Sequence, residues 1–208
     1  MTITVHHLNN SRSQRILWLL EELGTEYEIV AYQRDAETNL APPELKEPHP
    51  LGKSPLIEDE GLRVAESGAI IQYLCERHAG GEWLPDPASE EHVRHLEWMQ
   101  FGESSFFVPV MLKIMAGRLG EGAAPIMPRI DEQFAAHVAF MEDGINEHGH
   151  FVGDSWTAAD VMMSFPAEIA VMQGFAETAP KAARFVEKVH SRPAWQRARE
   201  RGGPYFVW

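Results

Sequence analysis

Apolar positions in the first part of the chain change period more than once. Ile3 to Leu8 reads as a short strand, and from Ser13 to Leu23 the pattern turns helical, with Ile16, Leu17, Leu19, Leu20 and Leu23 recurring at spacings of three and four. Gly24 supplies the stop. Tyr27 to Tyr32 returns to alternation, Tyr27, Ile29 and Ala31 against Glu28 and Val30, so the opening unit is strand, helix, strand. That order favours a right-handed crossover and parallel pairing, the beginning of an α/β domain.

The stretch from Asp35 to Pro50 is rich in proline and charge and accommodates no more than an irregular helix near Glu44 to Glu47. Two short apolar pieces follow, Pro55 to Ile57 and Leu62 to Val64, and the polar run Glu58, Asp59, Glu60, Gly61 between them predicts an antiparallel hairpin. Glu66, Ser67 and Gly68 then open a helix with Ile70, Ile71, Tyr73 and Leu74 on its stripe, ending before Gly80 and Gly81. From Gly80 to Ala88 the composition shifts to Gly, Pro and Asp, the best place for a boundary between domains. Beyond it no strand pattern is convincing. Ile126, Ile130, Phe134, Val138, Met141 and Ile145 make one helical stripe, and Val161, Met162, Phe165 and Ile169 make another that begins at Thr157. The predicted architecture is α/β plus all-α: residues 1–79 as an α/β domain, 80–88 as a linker, and 89–208 as a helical bundle.

Composition narrows the function classes. With 208 residues and 44% of them hydrophobic, the chain can bury a sizeable core without metal or disulfide staples. A net charge of −13 repels polyphosphate and anionic membrane surfaces, which argues against nucleic-acid and membrane partners. One cysteine, Cys75, permits neither an internal disulfide nor a Cys-x-x-Cys redox pair, and among helical apolar neighbours it reads as a small buried hydrophobe. His6, His7, His148 and His150 invite a metal reading, but no ligand spacing accompanies them, and no metal is predicted. No basic-then-apolar leader and no apolar run of membrane-spanning length is visible, so a cytoplasmic location is expected.

Three clusters carry candidate chemistry. Asn9, Asn10, Ser11, Arg12 and Ser13 stand where the first strand gives way to the first helix, where an open α/β sheet receives ligands and a helix start offers free N–H groups to an anion. Ser and Asn are also ordinary helix caps. Lys53, Ser54 and Pro55 begin a strand with a proline, and a cis bond there exposes the Ser54 backbone to an extended ligand, while a trans bond makes the proline purely structural. Glu66 and Ser67 begin a helix directly after a strand, a hydroxyl and free N–H groups suited to a carboxylate beside an acid suited to an ammonium, or again a cap. Glu21, Glu22, Glu90 and Glu91 read as solvated helix faces.

Taken together and in this order, these clusters resemble the glutathione S-transferase superfamily. The strings that carry the resemblance are NNSRSQRILWLLEEL at 9–23, APPELKEPHPLGKSPLIEDEG at 41–61, AESGAIIQYL at 65–74 and SWTAADVMMSF at 155–165, where Thr157 and Asp160 match the superfamily's helix-capping box. The resemblance implies a thioredoxin-like first domain followed by a helical domain, and a bacterial or fungal serine-type member. It implies glutathione as co-substrate, with Ser54 pairing its backbone with the cysteinyl part, Pro55 cis, Glu66 and Ser67 on the γ-glutamyl group, and Lys53 on the glycyl carboxylate. Ser11 matches the position that holds the sulfur, with Asn10 and Ser13 close enough to serve instead. The thiolate would attack a small hydrophobic electrophile in a pocket drawn partly from Trp98, Phe101, Phe106, Phe107, Met111 and the tail Tyr205, Phe206 and Trp208. The resemblance also implies a homodimer. Two other readings stay open: a glutathione-dependent peroxidase, disulfide reductase or isomerase on the same site, and a non-catalytic binding or assembly module.

Overall fold

A computed structural model describes residues 2–205 of the chain. By its contacts the chain divides into two compact units, one running up to Pro85 and taken up again from Lys188, the other spanning Asp86–Glu187. The first unit opens with β1 (Ile3–Leu8), α1 (Ser13–Leu23) and β2 (Tyr27–Tyr32), at the boundaries the periodicity predicts. A single 3-10 turn, Pro43–Lys46, is all the helix the proline-rich stretch forms, and it buries Leu45. β3 (Leu56–Asp59), β4 (Leu62–Ala65) and α2 (Ser67–His78) complete the thioredoxin-like pattern.

The sheet order is β2-β1-β3-β4. β1 pairs parallel with β2 from Ile3↔Tyr27 to Leu8↔Tyr32. It pairs antiparallel with β3, His6 opposite Leu56, and β3 pairs antiparallel with β4, Leu56 opposite Ala65. These registers decide where the candidate residues fall. The end of β1, the start of β3 and the end of β4 lie at one end of the sheet, so the segments at Asn9–Ser13, Lys53–Pro55 and Glu66–Ser67 come together there.

α1 is buried from Ser13 through Leu20, and its far side is covered by α8 (Pro193–Gly202). The stretch from Lys188, assigned from the sequence to the helical domain, therefore groups with the first unit. The reason is visible in the contacts. Arg192 forks onto the Glu22 carboxylate, Arg197 and Arg201 reach Glu21, and the Trp18 indole N–H donates to Glu22 at 2.7 Å. Glu21 and Glu22 are thus ion-pair partners with side chains only 11% and 8% exposed, not the solvated face their sequence suggests. Arginines of a helix distant in sequence cover them, and no local pattern reports that.

The second unit is all helical among the described residues: α3 (Glu90–Gln100), a π-helical turn at Phe101–Ser105, α4 (Phe107–Gly117), α5 (Met127–Gly144), α6 (Ala158–Ala170) and most of α7 (Pro180–His190). The α5 stripe buries Ile130, Phe134, Val138 and Met141, whereas Ile126 lies before the helix and is exposed. α6 is capped by Thr157, whose N–H donates to the fully buried Asp160 carboxylate at 2.8 Å, and Asp160 also accepts from the Phe151 N–H at 2.9 Å. A buried carboxylate with several donors nails a loop to a helix start, a structural function.

Candidate functional site

The geometry at the sheet end centres on one peptide unit, Leu8. Its N–H donates to Ser54 Oγ at 3.2 Å, and Ser54 Oγ in turn donates to the His6 carbonyl at 2.8 Å. Its carbonyl accepts from Ser11 Oγ at 2.7 Å and lies 3.2 Å from Ser13 Oγ. Three of the candidate residues, Ser11, Ser13 and Ser54, therefore meet at the last residue of β1. The Ser54–Pro55 bond is cis, and both residues are buried. Lys53 beside them is exposed.

The serines continue into a buried chain. Ser11 and Ser13 hydroxyls are 2.8 Å apart, Ser13 Oγ lies 2.8 Å from His7 Nδ1, and His7 Nε2 lies 3.0 Å from the Gly202 carbonyl at the end of α8. A carbonyl only accepts, so Nε2 carries the proton and Nδ1 is left as an acceptor. Burial drives the His7 pKa down to about 4, so the ring is neutral at ordinary pH. Ser13 then spends its one proton on Nδ1, and Ser11 gives its own inward, to Leu8 or to Ser13. Both serines are buried, while Asn10 is half-buried at φ 50, a left-handed conformation that Asn tolerates better than most residues.

At the third corner Ser67 is 1% exposed, and its hydroxyl has no hydrogen-bond partner among the described residues. Glu66 before it is exposed and held at φ 69. Positive φ at two non-glycine residues, Asn10 and Glu66, at one end of one sheet is the kind of backbone strain that collects where ligands bind. Among the described residues the first turn of α1 has no acidic residue, and the Ser13 N–H donates to Ser11 Oγ at 3.2 Å, so the positive end of the helix dipole meets a hydroxyl there and not a carboxylate. The site thus offers the positive end of a helix dipole and the Ser67 hydroxyl to an extended anionic ligand, next to an exposed acid for an amine.

Beside Asn10 the first unit also contains an open hollow of about 750 Å³, lined by Asn10, His190, Trp195, Arg199 and Tyr205 among others. Of the aromatic candidates for the electrophile, Tyr205 belongs to this hollow, and Phe206 and Trp208 lie outside the described residues. In the second unit Trp98 and Phe106 are core: Trp98 touches Phe101, Phe140 and Phe151, and Phe106 stacks edge-on to Phe134. Phe101 and Phe107 are half-buried and Met111 is exposed. Cys75 is fully buried, which pushes its thiol up to about 12 and leaves it inert. Sequence reasoning passed over His7 as part of the serine chain and over Arg34, which donates to the Asn9 carbonyl. Their role arises from partners 195 and 25 residues away, Gly202 and Asn9.

Comparison with known proteins bears on the family and the fold. Residues 1–76 match the family described as Glutathione S-transferase, N-terminal domain. Glutathione S-transferase 3 of Schizosaccharomyces pombe is 35% identical, over 96% of this chain and 87% of that protein. The crystal structure of a glutathione S-transferase from Actinobacillus pleuropneumoniae superposes with a TM-score of 0.89 at 31% identity, covering 99% of this chain and 95% of the other. A sphingomonad glutathione S-transferase, solved in complex with glutathione, has the same fold at a TM-score of 0.77 and 21% identity, covering 96% of this chain and 98% of its own. The chain belongs to the glutathione S-transferase family.

Proposed function

We propose that the protein is a glutathione transferase, which binds the tripeptide across the sheet end of its first unit, lowers the pKa of its thiol and conjugates it to small hydrophobic electrophiles. The observation that carries this reading is the convergence on one sheet end of the Ser11–Ser13–Ser54 cluster, cis-Pro55 and the unpartnered Ser67 hydroxyl. In this reading Ser54 pairs with the cysteinyl backbone, Ser67 and Glu66 receive the γ-glutamyl carboxylate and amine, and Lys53 meets the glycyl carboxylate. Residues 1–79 supply the glutathione site, 80–88 the linker, and 89–208 part of the electrophile pocket. The hollow beside Asn10 adds a place for the acceptor.

The inward bond of Ser11 sets how the thiol is activated. Lowering a thiol from about 8.5 by two units takes roughly 2.7 kcal/mol. A hydroxyl bond to a charged sulfur contributes about 1.5–3 kcal/mol, but Ser11 must first give up a neutral bond worth about 0.5–1.5 kcal/mol. Its net share is about one pKa unit. The remainder falls to the positive end of the α1 dipole and to Asn10, which is half-buried. Ser11, Asn10 and Ser13 thus act in different ways: Asn10 and Ser11 toward the sulfur, Ser13 as the support of Ser11.

A homodimer suits the apolar side chains Val108, Met111, Leu112 and Met115, all exposed on α4. No helix among the described residues is long and apolar enough to cross a membrane, and the reading places the protein in the cytoplasm. Calorimetric titration with glutathione tests the binding step, and saturable heat is the expected result. Rates with an aryl halide, an organic hydroperoxide and a mixed disulfide then separate conjugation from peroxidase or reductase activity. Glutathione binding unaltered in Glu66→Ala and Ser67→Ala would overturn the assigned pocket.

A further inference from the structure

We infer that Arg34 is a positioning residue that sets the conformation of the sulfur-facing loop. The inference rests on the reading that Asn10 and Ser11 face the thiol. Asn10 and Asn39 stand at φ 50 and φ 57, a left-handed conformation that asparagine adopts more readily than most residues and that still carries a cost which carbonyl partners offset. Arg34 reaches the carbonyls of both, in the case of Asn39 beside a local turn in which the Asn39 N–H donates to the Asp35 carbonyl at 2.9 Å. Its Nε donates to the Asn9 carbonyl at 3.2 Å, Nη2 to the Asn10 carbonyl at 3.4 Å, and Nη1 to the Asn39 carbonyl at 3.1 Å. Its backbone N–H donates to Asn9 Oδ1 at 2.7 Å. One planar fork therefore ties the turn between β1 and α1 to the segment after β2, and no other side-chain type combines three rigidly spaced nitrogens with a fixed charge.

The guanidinium has five N–H groups. Three are used by the carbonyls, and among the described residues Arg34 has no carboxylate within ion-pair distance. Burial and the neighbouring Arg12 disfavour its charge, yet an arginine does not deprotonate in this setting. A half-buried cation spent on backbone carbonyls has been placed for shape, and its field falls on the loop where the thiolate is expected.

The test compares Arg34→Lys, which keeps the charge and loses the fork, with Arg34→Gln, which loses the charge. The readout is the pKa of glutathione's thiol in the binary complex, from thiolate absorbance, and the pH profile of kcat/KM with an aryl halide. Ser11→Ala and Asn10→Ala serve as references, and circular dichroism confirms folding. We expect Arg34→Lys to raise the bound thiol pKa by about one unit, a tenfold loss of kcat/KM below that pKa. In an Asn10→Gly background, where the left-handed turn needs no outside support, the same change should have a smaller effect. A wild-type pKa in Arg34→Lys alongside a raised one in Arg34→Gln would show that charge acts and positioning does not, which overturns the inference. So would no shift in either variant while a reference variant shifts. If no variant at Asn10, Ser11 or Arg34 moves the pKa, the loop itself is not the thiolate site, and the reading beneath the inference fails.

Discussion

His7 gives this protein a stability that depends on pH in a calculable way. The ring is 2% exposed and its pKa is depressed to about 4, against about 6.5 in an unfolded chain. Between those values the unfolded chain binds a proton that the folded chain refuses, so folding is weakened as the pH falls from 6.5 to 4 and unaffected by this group above 6.5. Integrated from pH 7 to pH 4.5, the difference is about 2.5 kcal/mol. His7→Asn removes the titration while its side-chain oxygen can still accept from Ser13. Urea unfolding at a series of pH values, followed by circular dichroism, should show the native protein losing about 2.5 kcal/mol more than His7→Asn over that interval. Carboxylates titrating in the same window contribute equally to both proteins and cancel. Parallel stability curves would refute the reasoning, because they would mean that His7 is solvated or protonated in the folded state and that the direction of the Ser13 hydrogen bond has been misassigned.

Two further outcomes are expected. Glu22→Ala withdraws the 2.7 Å acceptor from the fully buried Trp18 indole and the fork partner of Arg192, which is 29% exposed and so partly screened. The loss should be about 2–4 kcal/mol, read in urea titration, and Glu22→Gln should lose less; an effect under about 0.5 kcal/mol would show α8 to be held by its apolar contacts alone. In the second unit, an added Cβ at Gly144 would sit 2.1 Å from Trp98 Cζ2, while one at Gly102 would sit 2.8 Å from Met163 Sδ. Met is flexible and Trp98 is wedged among three phenylalanines, so thermal denaturation should rank Gly144→Ala as clearly more damaging than Gly102→Ala, with a loss at or above the usual 1–3 kcal/mol of overpacking.

Much of the fold is legible in the chain because its signals are local. The helical stripe of Ser13–Leu23, the alternation of Tyr27–Tyr32 and the capping pair Thr157 and Asp160 each depend on residues a few positions apart, and each element appears where its pattern lies. The candidate residues Ser11, Ser54, Pro55 and Ser67 are legible as turn and helix-start chemistry, but alone Ser11 and Ser67 are ordinary caps and Pro55 an ordinary structural proline. Register brings them together: His6 opposite Leu56 and Leu56 opposite Ala65 carry three separate segments to one end of one sheet. What the tertiary structure alone decides are the long-range partners. Glu22 reads as a solvated acid until Arg192 covers it, the proton of His7 is placed only by Gly202, and Arg34 carries no local signal until two left-handed asparagines present their carbonyls to it. The physical reason is common to all three: a side chain's ionisation and proton direction are set by whatever removes it from water, and that neighbour lies far along the chain.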